Sequence, residues 1–137
     1  MNPMELVAFL PVGYLLSVLI ETLVLLVGLS ARHPLGRRLA AGLWLTACTY
    51  PVVVLVLPLW MDPGASRLAY LAVAETFAPV AECALFLAAF GSGGSPGFGS
   101  TWRDLAAITA ANLASFGLGE LLHALGWLGA AASILGG

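Results

Sequence analysis

The sequence predicts an all-α integral membrane protein, built as a four-helix bundle. Three observations carry that expectation. Of 137 residues, 61% are hydrophobic and only 9% are charged, against roughly 25% charged in an ordinary soluble domain. Four apolar runs are long enough to cross a hydrocarbon core, which takes about 20 helical residues. The ionisable residues are also sorted. Arg32, Arg37, Arg38, Arg67 and Arg103 lie between the runs, whereas Glu21, Glu75, Glu82 and Glu120 lie inside them. A water-soluble globule, a disordered chain and a nucleic-acid binder are all excluded by this composition. The expected partner is the lipid bilayer. β-Barrel strands would be short and alternating, and these runs are neither.

The first span is expected near residues 6–29, with Pro11 inside it. Membrane helices tolerate such prolines because neighbouring helices satisfy the freed carbonyls. The N-terminus has Glu5 and no basic residue, unlike a secretory signal, so this span is expected to stay in the protein. Ser30 to Arg38 forms a basic connection containing His33-Pro34. The second span is expected over 39–60 and carries Thr46, Thr49, Tyr50, Pro51 and Pro58. Met61 to Ser66 reads as a turn, and the third span over 67–90 holds Glu75, Pro79 and Glu82. Gly91 to Ser100 is a Gly/Ser-rich loop. The fourth span is expected over 105–135 and is rich in small residues: Ala110, Ala111, Ala114, Gly117, Gly119, Gly126 and Gly129. Small residues permit close helix contact, so this span should pack tightly or mediate oligomerisation. All of 1–137 thus reads as one transmembrane domain, expected as a homo-oligomer or part of a larger membrane complex.

Arginines mark cytoplasmic connections. The first connection has three, the third has Arg103, and the second has only Arg67. Both termini are therefore expected outside. Trp60 and Trp102 fit interfacial anchors, while Trp44 and Trp127 sit further in. Cys48 and Cys83 have no redox or zinc spacing and read as small core residues.

The second and fourth spans share a pattern. Thr46-Ala47-Cys48-Thr49-Tyr50 matches Asn112-Leu113-Ala114-Ser115-Phe116, and Arg38-Leu39-Ala40-Ala41 matches Asp104-Leu105-Ala106-Ala107. Glu21 and Glu82 occupy matching depths in the first and third spans. Two pseudo-symmetric helical hairpins, a parallel repeat, would produce these correspondences.

Depth arithmetic gives two polar layers. At 1.5 Å per residue, Glu21, Glu82, Thr46, Thr49, Asn112 and Ser115 all fall roughly 11–15 Å from the cytoplasmic edge. An outer layer holds Glu75, Glu120 and His123. A charge this deep costs about 2.5–3.5 kcal/mol on insertion scales, so four carboxyls need an account. One account is neutral glutamates that bridge to Thr46, Thr49, Asn112 or Ser115 as interhelical glue. Another is convergence on a proton or a cation, with Tyr50 beside them. A metal set of Glu75, Glu120 and His123 is the weakest reading, because carboxylate-rich metal bundles supply a second histidine from their helices. His33 is in a loop.

Glu21, Thr49-Tyr50-Pro51, Glu75 with Glu82, and Asn112-x-x-Ser115 together resemble an uncharacterised group of small bacterial four-span membrane proteins. The resemblance implies a bacterial inner-membrane location and brings no activity, substrate or cofactor. No Gly-x-Ser-x-Gly, His-Glu-x-x-His or phosphate loop is present. The leading functional expectation is a proton- or cation-binding, channel-like transporter. The rival is a structural or accessory subunit of a membrane complex.

Overall fold

The computed structural model describes residues 3–91 and 98–127, with side chains over 10–91 and 100–127. Among these residues, four helices are long and apolar enough to cross a membrane. Helix α1 spans Pro3–Gly28 and α2 spans Leu35–Pro51. A π-helical stretch, Val52–Val56, continues α2 into the short α3, Leu57–Trp60. Helix α4 spans Arg67–Phe90 and α5 spans Phe98–Ala124. The principal packing pairs are α1 with α2 and α5, and α4 with α5 and α2. The order around the bundle is therefore α1, α2, α4, α5.

The third span coincides with its expected bounds. The fourth does not. Helix α5 begins seven residues earlier than the sequence suggested; the expected stretch from 128 to 135 lies outside the described residues. The helix ends at Ala124. The cause is Gly126, which adopts φ 72. That left-handed geometry suits a glycine at a helix C-terminus.

The second span has an irregularity with a clear cause. In the π-helical stretch, Leu57 N–H donates to the Val52 carbonyl. The next bond in that register would join residue 58 to Val53, but Pro58 has no N–H. The Val53 carbonyl is thereby stranded, and Tyr70 of α4 donates its hydroxyl to it at 2.7 Å. Buried backbone groups in lipid need such partners.

Burial concentrates toward the α1–α2 loop. The core there comprises Leu25, Leu29, Ala41, Leu45, Phe86, Ala107, Ile108 and Ala111. Its outward counterpart on α1 is a stripe of exposed leucine and valine, Leu15, Leu19, Leu23 and Val27, at the four-residue spacing of one helix face. Trp60 and Trp102 are exposed near span ends, as anchors should be, and Trp127 is exposed as well. Trp44 is exposed too, and it meets Phe90 edge to face, with centroids 6.3 Å apart.

Two glycines set helix spacing, and they are not the ones in the fourth span. A Cβ on Gly42 would lie 2.8 Å from the Cα of Thr22, and one on Gly28 would lie 2.8 Å from the Cβ of Ala107. Gly42 brings α2 against α1, and Gly28 brings α1 against α5. At Gly117, Gly119 and Gly126 a Cβ would meet nothing within 4 Å. The expectation of tight packing at these three positions is corrected for the single chain; Gly129 falls outside the described residues.

Candidate functional site: a polar layer across the bundle

The inner layer assembles as four short hydrogen bonds. On α1, Glu21 accepts from Thr46 of α2 at 2.6 Å and from Ser115 of α5 at 2.9 Å. On α4, Glu82 accepts from Thr49 of α2 at 2.6 Å and from Asn112 of α5 at 2.8 Å. Each carboxyl receives one bond from α2 and one from α5, so α1 and α4 are clamped to the same two neighbours. Glu21, Glu82, Thr46, Thr49 and Asn112 are all buried. Ser115 is half-buried.

The pattern has internal order. Glu21 takes the first polar residue of its sequence neighbour, Thr46, and the second of the distant helix, Ser115. Glu82 takes the first polar residue of its own neighbour, Asn112, and the second of the distant helix, Thr49. Exchange of the two hairpins maps one set of bonds onto the other.

Hydrogen counting constrains the chemistry. Thr46 and Thr49 each face a second acceptor, the Gly42 carbonyl at 2.8 Å and the Leu45 carbonyl at 3.1 Å. Ser115 likewise faces the Asn112 carbonyl at 3.1 Å. Each hydroxyl has one hydrogen and two acceptors. At Glu82 one proton on the carboxyl resolves this: it donates to Thr49, which passes its own hydrogen to the Leu45 carbonyl. At Glu21 one proton serves either Thr46 or Ser115, and the other hydroxyl shares its single hydrogen between two acceptors. The Asn112 amide nitrogen also points one donor hydrogen at Glu82 and its other at the Ile108 carbonyl, an arrangement that opposes a cation at that carboxyl.

The outer layer does not assemble as one group. Glu120 is paired instead with Arg67 across α4 and α5, with Arg67 Nη2 at 2.8 and 2.7 Å from the two carboxylate oxygens. His123 is exposed. Glu75 is half-buried and makes no hydrogen bond or ion pair among the described residues. No group of three or more His, Cys, Asp or Glu among the described residues could hold a metal. The metal set Glu75, Glu120 and His123 is therefore not brought together. Tyr50 also departs from expectation. Its hydroxyl is buried without a partner, and its ring packs edge-on against Tyr14, centroids 5.7 Å apart. The two cysteines are free, and Cys83 points its thiol at the Leu105 carbonyl at 3.8 Å.

A second buried cluster was not anticipated. Asp104, near the start of α5, is fully buried. It accepts from the Ser30 amide at 2.7 Å, the Ser30 hydroxyl at 3.1 Å and Arg32 Nη2 at 2.6 Å. His33 Nε2 lies 2.9 Å from the same carboxylate. With Nε2–H donating there, His33 Nδ1 is the acceptor that faces Arg37 at 3.4 Å. The His33 ring also meets Phe86 edge to face. Arg38 and Arg103 donate to the carbonyls ending α1: Arg38 to Leu26 and Ser30, Arg103 to Val27 and Gly28. These cations suit the negative end of a helix dipole. The first connection is thus a packed knot rather than a loose loop.

The chain matches no protein-family model, no curated protein and no solved structure.

Proposed function

We propose that the chain is a structural or accessory subunit of a membrane complex, with Glu21 and Glu82 as neutral hydrogen-bond hubs. One observation carries the reading. Each inner carboxyl is engaged by its own pair of donors, one from α2 and one from α5. Interhelical bonds of this kind average about 0.6 kcal/mol and reach about 1.7 kcal/mol. Four of them orient helices more than they stabilise them. The matching bonds of the two hairpins support an origin by internal duplication. The arginine-rich first connection supports a cytoplasmic position for that end of the bundle and outward termini, in a bacterial inner membrane.

The test is substitution without a change of shape. Glutamine keeps both hydrogen-bonding functions of a neutral glutamic acid. The chain with both Glu21→Gln and Glu82→Gln should fold, remain monodisperse in detergent and keep any co-purifying membrane partner. Loss of folding in that variant would overturn the reading.

One observation favours a second reading, a proton- or cation-binding transporter. Glu75 is an unpaired carboxyl two turns from Glu82 on the same face of α4. Ion or proton flux in liposomes containing the purified protein, lost on Glu82→Gln and Glu21→Gln, would establish it.

A further inference from the structure

Four of the five arginines, Arg32, Arg37, Arg38 and Arg103, gather at the α1–α2 loop end of the bundle, where Asp104 is the only acidic residue among the described residues. They are not equally committed. Arg38 spends all three guanidinium nitrogens on the carbonyls of Leu26, Ser30 and His33. Arg37 lies over the Phe90 ring, 5.2 Å from its centroid. Arg32 and Arg103 are less fully engaged. Arg32 uses Nε and Nη2 on Asp104 and keeps Nη1 for another partner. Arg103, the residue before Asp104, is exposed and uses Nε and Nη2 on α1 carbonyls. Arg32 thus meets the one carboxylate, whereas Arg103 bonds to carbonyls, which leave its charge unbalanced beside Trp102.

Directly along the membrane from Arg103, α5 carries an open groove of about 350 Å³. It is lined by Trp102, Leu105, Ala106, Thr109, Ala110 and Leu113. These positions form one helix face opposite the core residues Ala107, Ile108 and Ala111. The alanines give the groove its depth, and the larger side chains border it. Residues 102 to 113 cover about 16 Å of helix. The Thr109 hydroxyl turns back to the Leu105 carbonyl at 2.9 Å, so the groove offers little to a polar ligand.

We propose that the Arg103 corner binds one anionic phospholipid, with its phosphate on Arg103 and one acyl chain along the α5 groove. Guanidinium groups match phosphate oxygens in geometry as well as charge. A basic corner between membrane helices, with a tryptophan at headgroup level, suits an anionic headgroup. The unbalanced positive charge selects against a zwitterionic lipid, whose ammonium would meet guanidinium. The groove selects against a free phosphate.

The test is native mass spectrometry of the full chain in detergent, titrated with dioleoyl phosphatidylglycerol, dioleoyl phosphatidylcholine or glycerol phosphate. Phosphatidylglycerol should be retained over the other two. Arg103→Gln should weaken its retention about fivefold, the worth of one interfacial arginine. Ala110→Phe, at an exposed position, should weaken both lipids and leave the charge preference intact. Equal retention of the two lipids overturns the proposal, as does glycerol phosphate binding as tightly as phosphatidylglycerol. A change of oligomeric state in Ala110→Phe without lipid loss assigns the groove to a second copy and also overturns it. Should Arg103→Gln fail to fold because α1 loses its caps, the lipid preference and Ala110→Phe still decide.

Discussion

The hydroxyl of Ser115 reaches the carboxyl of Glu21 at 2.9 Å, joining residues 94 positions apart and the first helix to the last. Removal of the carboxyl should loosen that closure. Glu21→Ala deletes two interhelical bonds and is expected to cost about 1–2 kcal/mol. Glu21→Gln should cost well under that. Unfolding in mixed detergent and dodecyl sulfate, followed by tryptophan fluorescence, measures both. Equal costs for the two variants would contradict a hydrogen-bonding role.

Asp104 should matter more than either inner glutamate. It is a buried charge held by Ser30, Arg32 and His33, and breaking such a cluster costs about 3–5 kcal/mol. Arg32 is partly exposed, which places the expected effect of Asp104→Ala at the lower end of that range, about 3 kcal/mol. Hydrogen exchange gives a local signature: the Ser30 amide should lose protection in Asp104→Ala and keep it in Glu21→Ala.

The two central tyrosines should behave oppositely. Tyr70 answers the stranded Val53 carbonyl, so Tyr70→Phe is expected to cost about 1 kcal/mol. Pro58→Ala restores a backbone N–H, and in that background Tyr70→Phe should cost much less. Such non-additivity is what a double-mutant cycle detects. Tyr50→Phe removes a hydroxyl that has no partner and should be neutral or stabilising.

Glycine substitutions separate packing from propensity. Gly42→Ala forces its methyl into Thr22, and Gly28→Ala forces it into Ala107. Neither neighbour can yield without moving a helix, so each change should cost about 1–3 kcal/mol. Gly117→Ala meets open space and should stabilise by up to about 1 kcal/mol through helix propensity. Thermal unfolding of the three variants in one detergent ranks them.

The inner layer was legible because helical rise is fixed. Counting from span ends placed Glu21, Glu82, Thr46, Thr49, Asn112 and Ser115 at one depth, and all six meet there. Depth counting says nothing about azimuth, and there it failed. Glu120 and Glu75 share a level, yet Glu120 turns toward Arg67. Arg67 had been read only as a marker of topology. The Asp104 knot was missed for a different reason. No periodicity governs a six-residue connection, so nothing in the sequence showed Ser30 and His33 folding back onto α5. His33 in a basic loop looks solvated until Phe86 and Asp104 enclose it. The close approaches at Gly28 and Gly42 were hidden by a richer glycine signal elsewhere.

The segment Met61–Ser66 contributes nothing to the four bonds of the inner layer. Each half of the chain carries one carboxyl and two donors. Half of what each carboxyl needs is supplied by the other half of the chain. Covalent continuity is therefore dispensable to recognition. Two polypeptides separated at this turn and produced together should find each other in the bilayer, their partnership read out by complementarity rather than by connection.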